Sequence, residues 1–544
     1  MLEQIKIGGN TMNAKKQLLT SVLCASLILA SFAGCSGKEN PGSAPDSSAG
    51  VSASSDMGTA SQGGEENPDA SGEATTTPAT DANGSQVTQA TTSKNNVPGG
   101  KTTTKPGGSK GNPLEGVDLK GATIVIGTSS KDMFNTKKGS SKRLNAIADR
   151  FNQLQSKLHC TIKVEYKEDS DALYQAAFNA SMSGKKYADI LIPHAYKTCA
   201  YLSSNMLVPL NNIPNIDLSQ AYWKSAVDTI STFGKNTYFA ATPGNEHLTG
   251  SLVLFFNKKI AKSLNWDPYA QVKNNQWTVS ELRRVTKAAT RDLDGKSGMT
   301  AADQWGMAQI DPGTAGMMAL LTGSNLEMIK GSNGKFTYNM DNKDIINTIN
   351  IGKALFKDDK VNYAGKADAD DIKLFTSGHA LLLSGGLSNV EQITNMDDDF
   401  GLIPFPHSDS QKQYRSNVDW NYTVMMVPKN PKNQKATDVE AQNTGKFLEA
   451  FAYLSQDTMK AIKQEYADRH FRDDESSDML SIIEKGLKMD AAQIFGGQSL
   501  WPIHDGTFRV MYETIGDNKD PQTLVDERKK AAITELEKQL AKIK

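Results

Sequence analysis

Cysteine is scarce in this sequence: four in 544 residues, two of them within the first 35. Only Cys160 and Cys199 remain for the body of the chain, too few for a disulfide framework. They are either two small buried thiols or, if folding brings them together, one pair. Excess charge is lacking too, because 60 Lys and Arg face 61 Asp and Glu, for a formal net charge of -1. That balance removes the electrostatic case for nucleic acid or an acidic membrane surface as partner. The seven histidines form no H-x-H, H-x-x-H or H-E-x-x-H spacing and there is no C-x-x-C, so no metal site or metal cofactor is expected. No Walker loop is present, and no G-x-G-x-x-G follows the opening strand, which leaves nucleotide chemistry without a seat.

Long apolar runs are also missing, with one exception. Lys15 and Lys16 precede an apolar and small-residue run over 18–32, the pattern of a secretory signal too short to be a stable membrane span. Its end, Phe32-Ala33-Gly34-Cys35-Ser36, resembles the bacterial lipobox and implies acylation of Cys35, so residues 1–35 are expected to be a signal peptide. Residues before Met12 look like an upstream extension. From 36 to 113 the chain contains no Leu, Ile, Phe, Tyr or Trp, cannot bury a core and is expected to be a disordered tether with an r.m.s. reach of about 50 Å. Gly107-Gly108-Ser109-Lys110-Gly111 fits G-x-S-x-G, but lacks the strand and helix that would make a nucleophile elbow.

Apolar patterning starts at Leu114. A short buried strand, 123–127, is followed by Leu144, Ile147, Phe151, Leu154 and Leu158 at helical spacing. A strand at 161–166, a helix at 173–183 and a strand at 189–192 complete a βαβαβ alternation that predicts a parallel sheet covered by helices. A second module begins near Ser251 with a strand at 252–256. Thr278 and Glu281 have capping-box spacing for a helix running towards Asp292. Later strands are expected at 381–383, 402–405 and 422–427, with helices at 345–356, 444–454 and 523–540.

Seven segments, in order, resemble the extracellular solute-binding proteins of ABC importers, in the large sugar-binding group that includes the maltose-binding type. They are Tyr187-Ala188-Asp189-Ile190-Leu191, Leu207-Val208-Pro209-Leu210, Thr237-Tyr238-Phe239-Ala240, Leu254-Phe255-Phe256-Asn257-Lys258, Gln276-Trp277-Thr278-Val279-Ser280-Glu281-Leu282, Phe375-Thr376-Ser377-Gly378-His379-Ala380 and Phe400-Gly401-Leu402-Ile403-Pro404-Phe405-Pro406. The resemblance implies a periplasmic-binding-protein-like type II α/β fold, with two lobes joined by a hinge and a ligand cleft between them. Residues 114–248 plus 419–470 would form one lobe and 249–418 plus 471–544 the other, with crossings near 246–251, 416–421 and His470. It implies a lipid-anchored monomer on the extracellular face of the cytoplasmic membrane, as on a Gram-positive surface. That protein captures a carbohydrate for the importer's permease subunits without chemistry or cofactor.

Sugars offer hydroxyl rims and C–H faces, so their sites pair hydrogen-bonding groups with rings. Candidates are His194 and Tyr196 after the third strand, Glu246 in the first crossing, and Asp419, Trp420 and Asn421 in the second. Gly385 and Gly386 follow a second-lobe strand where bare backbone can approach a ligand, and Trp501 lies near His504 and Asp505. Tyr222 and Trp223 are weaker aromatic candidates. Asp292-Leu293-Asp294-Gly295 resembles the start of a calcium loop, but its glycine is at the fourth place and no closing Glu follows. A secreted carbohydrate-active enzyme, whose paired acids need no local motif, and a surface adhesin or sensor on the same scaffold remain the alternatives.

Overall fold

The computed structural model describes residues 5–7, 10–12, 112–134, 137–139, 141–497 and 500–543. The signal segment with Cys35, the linker up to 111 and the G-x-S-x-G match lie outside the described residues, apart from an antiparallel pairing of Ile5–Ile7 with Asn10–Met12. Residues 1–100 and 101–544 are separate units, and everything below concerns the second.

The first sheet is built from β1 (Thr123–Thr128), β2 (Thr161–Tyr166), β3 (Ile190–Ile192) and β4 (Leu207–Val208). Between β1 and β2 runs α1 (Lys142–Leu158), started by the Ser141 hydroxyl, which accepts from the Leu144 amide, and stopped by left-handed His159 (φ 47°). Its apolar stripe of Ile147, Phe151, Leu154 and Leu158 is buried, as helical spacing requires. α2 (Ser170–Met182) then returns the chain, its N-cap Asp169 accepting from Ala172. β1 lies parallel to both β2 and β3.

The second sheet holds β5 (Leu252–Asn257), β6 (Trp305–Gln309), β7 (Asn362–Tyr363), β8 (Ala380–Gly386) and β9 (Phe400–Ile403), with α3 (Val279–Ala289) between β5 and β6. Thr278 caps α3 by accepting from the Glu281 amide at 3.3 Å. A later strand, β10 (Met425–Pro428), returns to the first sheet.

Strand order is β2-β1-β3-β10-β4 in one sheet, where a short sixth strand, Phe239–Ala240, also pairs with β10, and β7-β6-β8-β5-β9 in the other. The two orders are equivalent. In each, the strand between the third and the last is antiparallel to its neighbours and has just arrived from the opposite lobe. The wholly parallel sheet expected from βαβαβ alternation is therefore corrected to a mixed one. Alternation reports only the consecutive units, and the inserted strand comes from the far half of the chain.

Helix α4 (Val439–Glu465) packs along α1, so Phe447 and Phe451 share a core with Phe151 and Leu154. A π-turn over Tyr466–His470 leads into α5 (Asp474–Lys485), which covers β9. The largest fully buried side chain is Trp277, whose indole N–H donates to the Pro404 carbonyl at 2.9 Å. The chain ends with α6 (Ala491–Phe495), α7 (Trp501–Gly506), α8 (Phe508–Gly516) and α9 (Pro521–Lys542). Cys160 and Cys199 are buried and unpaired, and burial pushes their thiols up to about 11 and about 12. Among the described residues no helix is long and apolar enough to cross a membrane.

Candidate functional site

The chain passes between the sheets three times: over 241–251, over 404–424 and through the turn after α4. The first two passages are laced together. Ser251 and Val418 form an antiparallel bridge and Asp419 N donates to Gly250 O at 3.2 Å, while Ser388 N, just past β8, ties the second sheet to the first passage by donating to Thr249 O at 3.0 Å. Gly250 is required here, because a Cβ at that position would overlap the Tyr422 ring. The carboxyl ends of β1, β3, β6 and β8 converge on these passages, the location where open α/β sheets bind ligands.

Glu246 sits at the centre of the first passage in the left-handed region (φ 56°), a conformation that costs a non-glycine residue on the order of 1 kcal/mol and is retained where the surroundings impose it. Its side chain is 7% exposed. One oxygen, Oε2, accepts from Arg143 Nε at 2.8 Å and pairs with Nη2 at 2.7 Å, whereas buried Oε1 has no partner. Behind it Arg150 is fully buried. Its Nη1 donates to Ser455 Oγ at 3.0 Å and its guanidinium lies 4.4 Å from the Phe451 ring centroid. Burial lowers Arg150 to about 10, and Glu246 opposes that shift. His247 is also buried, with Nε2 facing the Thr423 carbonyl at 2.8 Å. Burial lowers it to about 4, so the ring is neutral and Nε2 carries the proton.

In front of Glu246 lies a cavity of about 420 Å³ lined by Ser130, Arg143, Glu246, Thr249, Ser388, Glu391, Asn421, Tyr422 and Tyr466, among others. It thus draws on both sheets and all three passages. Beyond Tyr422 the same seam becomes aromatic. His194 and Tyr196 stack at 5.8 Å, Tyr196 meets Trp420 edgewise at 6.5 Å, Trp420 stacks with His504 at 6.4 Å, and Trp501 closes the run at 5.3 Å from His504. Trp420 is anchored from behind by Phe508 at 4.8 Å, and Trp501 is 43% exposed. Ser170 joins the edge of this run, linking Ser129 Oγ at 2.8 Å to His194 Nδ1 at 3.2 Å.

Asp419 accepts from the Asn421 amide at 2.7 Å. Burial raises its carboxyl pKa, and the charge of Asp311 raises it further. Asp311 follows β6 in a left-handed conformation and accepts from the Thr314 and Ala315 amides; its pKa too is raised, chiefly by burial. Two carboxylates from different parts of the chain therefore share one end of the seam.

His194, Tyr196, Asp419, Trp420 and Trp501 are brought together at the aromatic end, and Glu246 and Asn421 at the cavity. Gly385 is the penultimate residue of β8, but the space a Cβ would take is filled by Asn389 Oδ1 and Ile310, whereas Gly386 at the strand end is uncrowded. Tyr222 and Trp223 belong elsewhere: both donate to the Glu449 carboxylate, at 2.7 and 2.9 Å, and tie α4 to the first sheet. Sequence reasoning missed Arg143, Asp311, Glu391 and Tyr466, which carry no local pattern. The one available signal was for Asp311, an Asp-Pro pair directly after a strand. Asp292, Asp294 and Asp303 hold carboxylate oxygens within 4.8 Å of one another, the ligand type a hard cation takes. Yet Asp303 is already engaged by the Thr300, Leu293 and Asp294 amides, which lower it to about 2.

Two lobes of equivalent topology, three connecting passages and a polar-aromatic seam at the strand ends define a two-lobed binding protein. The family model for bacterial extracellular solute-binding proteins matches residues 136–453, and the chain belongs to that family. Among solved structures, the cyclic α-maltosyl-1,6-maltose binding protein from Arthrobacter globiformis is similar at 14% identity. The match covers 77% of this chain and all of that one, with a TM-score of 0.54. UspC of M. tuberculosis is similar at 15% identity, over 76% of this chain and all of its own, with a TM-score of 0.52. A cyclo/maltodextrin-binding protein complexed with maltotetraose is 15% identical over 80% of this chain and 99% of that one, at 0.50. No curated protein sequence matches. These likenesses establish the fold as the expected periplasmic-binding-protein-like type II arrangement.

Proposed function

We propose that this chain is the lipid-anchored, extracellular solute-binding component of an ABC importer, and that it captures a carbohydrate in the seam and hands it to the permease subunits. The observation that carries the reading is the run of rings from His194 to Trp501 beside a hydrogen-bonding cavity, the pairing of C–H platform and polar rim that a saccharide needs. Two neighbours of the same fold are named for binding cyclic α-maltosyl-1,6-maltose and cyclo/maltodextrin, which agrees with it. The binding surface consists of His194, Tyr196, Glu246, Asp419, Trp420, Asn421 and Trp501, with Gly385 and Gly386 at its border. The lobes are 114–248 plus 419–470 and 249–418 plus 471–544. Ligand contacts on both lobes favour the closed form, which the permease recognises. Cys35 is acylated and 36–113 is the tether that holds the monomer off the membrane.

Titration calorimetry and thermal shift across mono- and oligosaccharides, amino acids and peptides test the reading, because a ligand confined to the folded state raises the melting temperature. A saccharide is expected to bind without turnover. Release of reducing ends from an oligosaccharide would replace this reading with a glycosidase. For the anchor, labelled palmitate should enter the wild-type chain and not Cys35→Ser; equal labelling would remove the lipobox.

A further inference from the structure

We infer that the solute is a cationic saccharide, one whose ring carries an amine, and that the cleft selects it over neutral and uronic sugars. The inference rests on the carbohydrate reading of the site and adds the charge of its occupant. Four carboxylates border the seam: Glu246 and Glu391 at the cavity, Asp311 and Asp419 at the aromatic end. A single cationic side chain, Arg143, lines the cavity with Glu246 and Glu391, and it is bound to Glu246. Among the described residues, Glu391, Asp311 and Asp419 have no Lys or Arg within ion-pair distance. The side chain of Glu246 is more than nine-tenths buried, and its Oε1, sealed from solvent behind the cavity wall, has no donor.

His470 lies within electrostatic range of two carboxylates, Glu391 and Glu465, and of one cation, Arg469, which pairs with Glu465. Burial lowers its pKa despite the carboxylates around it, and Nδ1 is engaged by Thr394 Oγ1 at 2.6 Å. It supplies no counter-charge. Closing such a cleft on a neutral polyol satisfies hydrogen bonds but leaves several carboxylates desolvated with no opposite charge, which is expensive. A uronate would add another like charge. An ammonium offers three donors and a compact positive charge, and the rings of Tyr422 and Tyr466 at the cavity wall can take it by cation–π attraction.

The test is calorimetry on the full mature protein with four matched tetramers: glucosamine, N-acetylglucosamine, maltotetraose and galacturonate, each at 0.02 and 0.15 M salt. Glucosamine tetramer is expected to bind at least ten-fold tighter than its acetylated twin, and less so at the higher salt. That ratio should drop at least five-fold in the Glu391→Gln, Asp419→Asn double variant, whose melting temperature reports that it folds. Tighter or equal binding of a neutral or uronic tetramer would overturn the charge assignment and leave the carbohydrate reading standing. Binding of none of the four would overturn both.

Discussion

The two lobes share one scaffold and differ in what they mount on it. Both sheets carry the same strand order with one antiparallel strand contributed from across the hinge. After β1 and β3 the first lobe presents hydroxyls and rings, Ser130, His194 and Tyr196. After β6 and β8 the second lobe presents Asp311, Ser388 and Glu391. The passage from Asp419 to Tyr422 carries both kinds of group. Topology therefore sets where the two walls face each other, while the residues just past the strand ends decide what each wall offers, as expected where loops on a rigid frame carry recognition.

The severest way to break the likeness is through the cores. Trp277→Ala removes a fully buried indole from the second lobe and orphans the Pro404 carbonyl, and should cost about 4 kcal/mol in urea unfolding. If the lobes are equivalent scaffolds, Phe151→Ala in the first should cost the same within a factor of two. A much smaller loss for either would show that one core bears most of the cooperativity. Next comes the ring wall. Trp420→Ala should weaken saccharide binding about 100-fold, about 3 kcal/mol, because Trp420 touches Tyr196, His504 and Phe508. Trp501→Ala, exposed at the end of the run, should cost less than about ten-fold in the same titration.

Two buried acids sharpen the contrast further. In the first lobe Asp189 is raised by burial but paired with Lys186 at 2.7 Å. In the second, Asp371 is 4% exposed and is raised to about 7 by burial and by neighbouring Asp368 and Asp370. Native Asp371 thus holds a proton that the unfolded chain loses near pH 4. Its contribution is complete below that pH and is lost as pH rises through 7. Unfolding free energy should fall by about 2 kcal/mol between pH 5 and 8, and Asp371→Asn should flatten that slope; an unchanged slope in the variant would dismiss the assignment. The smallest effect is expected from Lys138→Ala, since its ion pair with Asp149 is exposed on both sides and should change stability by less than about 0.5 kcal/mol.

Much of the scaffold was legible because local periodicity follows burial. The strand at 161–166 and the capped start at Thr278 were read directly, and the last helix was expected at 523–540 against Pro521–Lys542 observed. The helix expected at 444–454 spans Val439–Glu465, and its last turns bury Met459 and Ile462 against the second lobe's core. The strands at 252–256 and 422–427 were read as strands, but their antiparallel insertion was not legible, because their partners lie over a hundred residues away. The site divides in the same way. Asp419 to Asn421 stood out as a cluster of acid, amide and ring, whereas Arg143 and Glu391 are ordinary residues on helical segments that become neighbours of Glu246 only after both lobes form. Gly385 looked like open backbone, yet Asn389, four residues on, occupies the vacancy.

The three passages also set what kind of motion is available. A pair of bodies on a single strand can swivel freely, but here two strands stitched through Ser251 and Val418 run beside a third tie at Tyr466. Twisting would shear those stitches, so the remaining soft movement is a bend, like the cover of a book. The spine of that book passes Glu246, so a guest that engages the Arg143–Glu246 pair at the cavity is felt at the fold line itself.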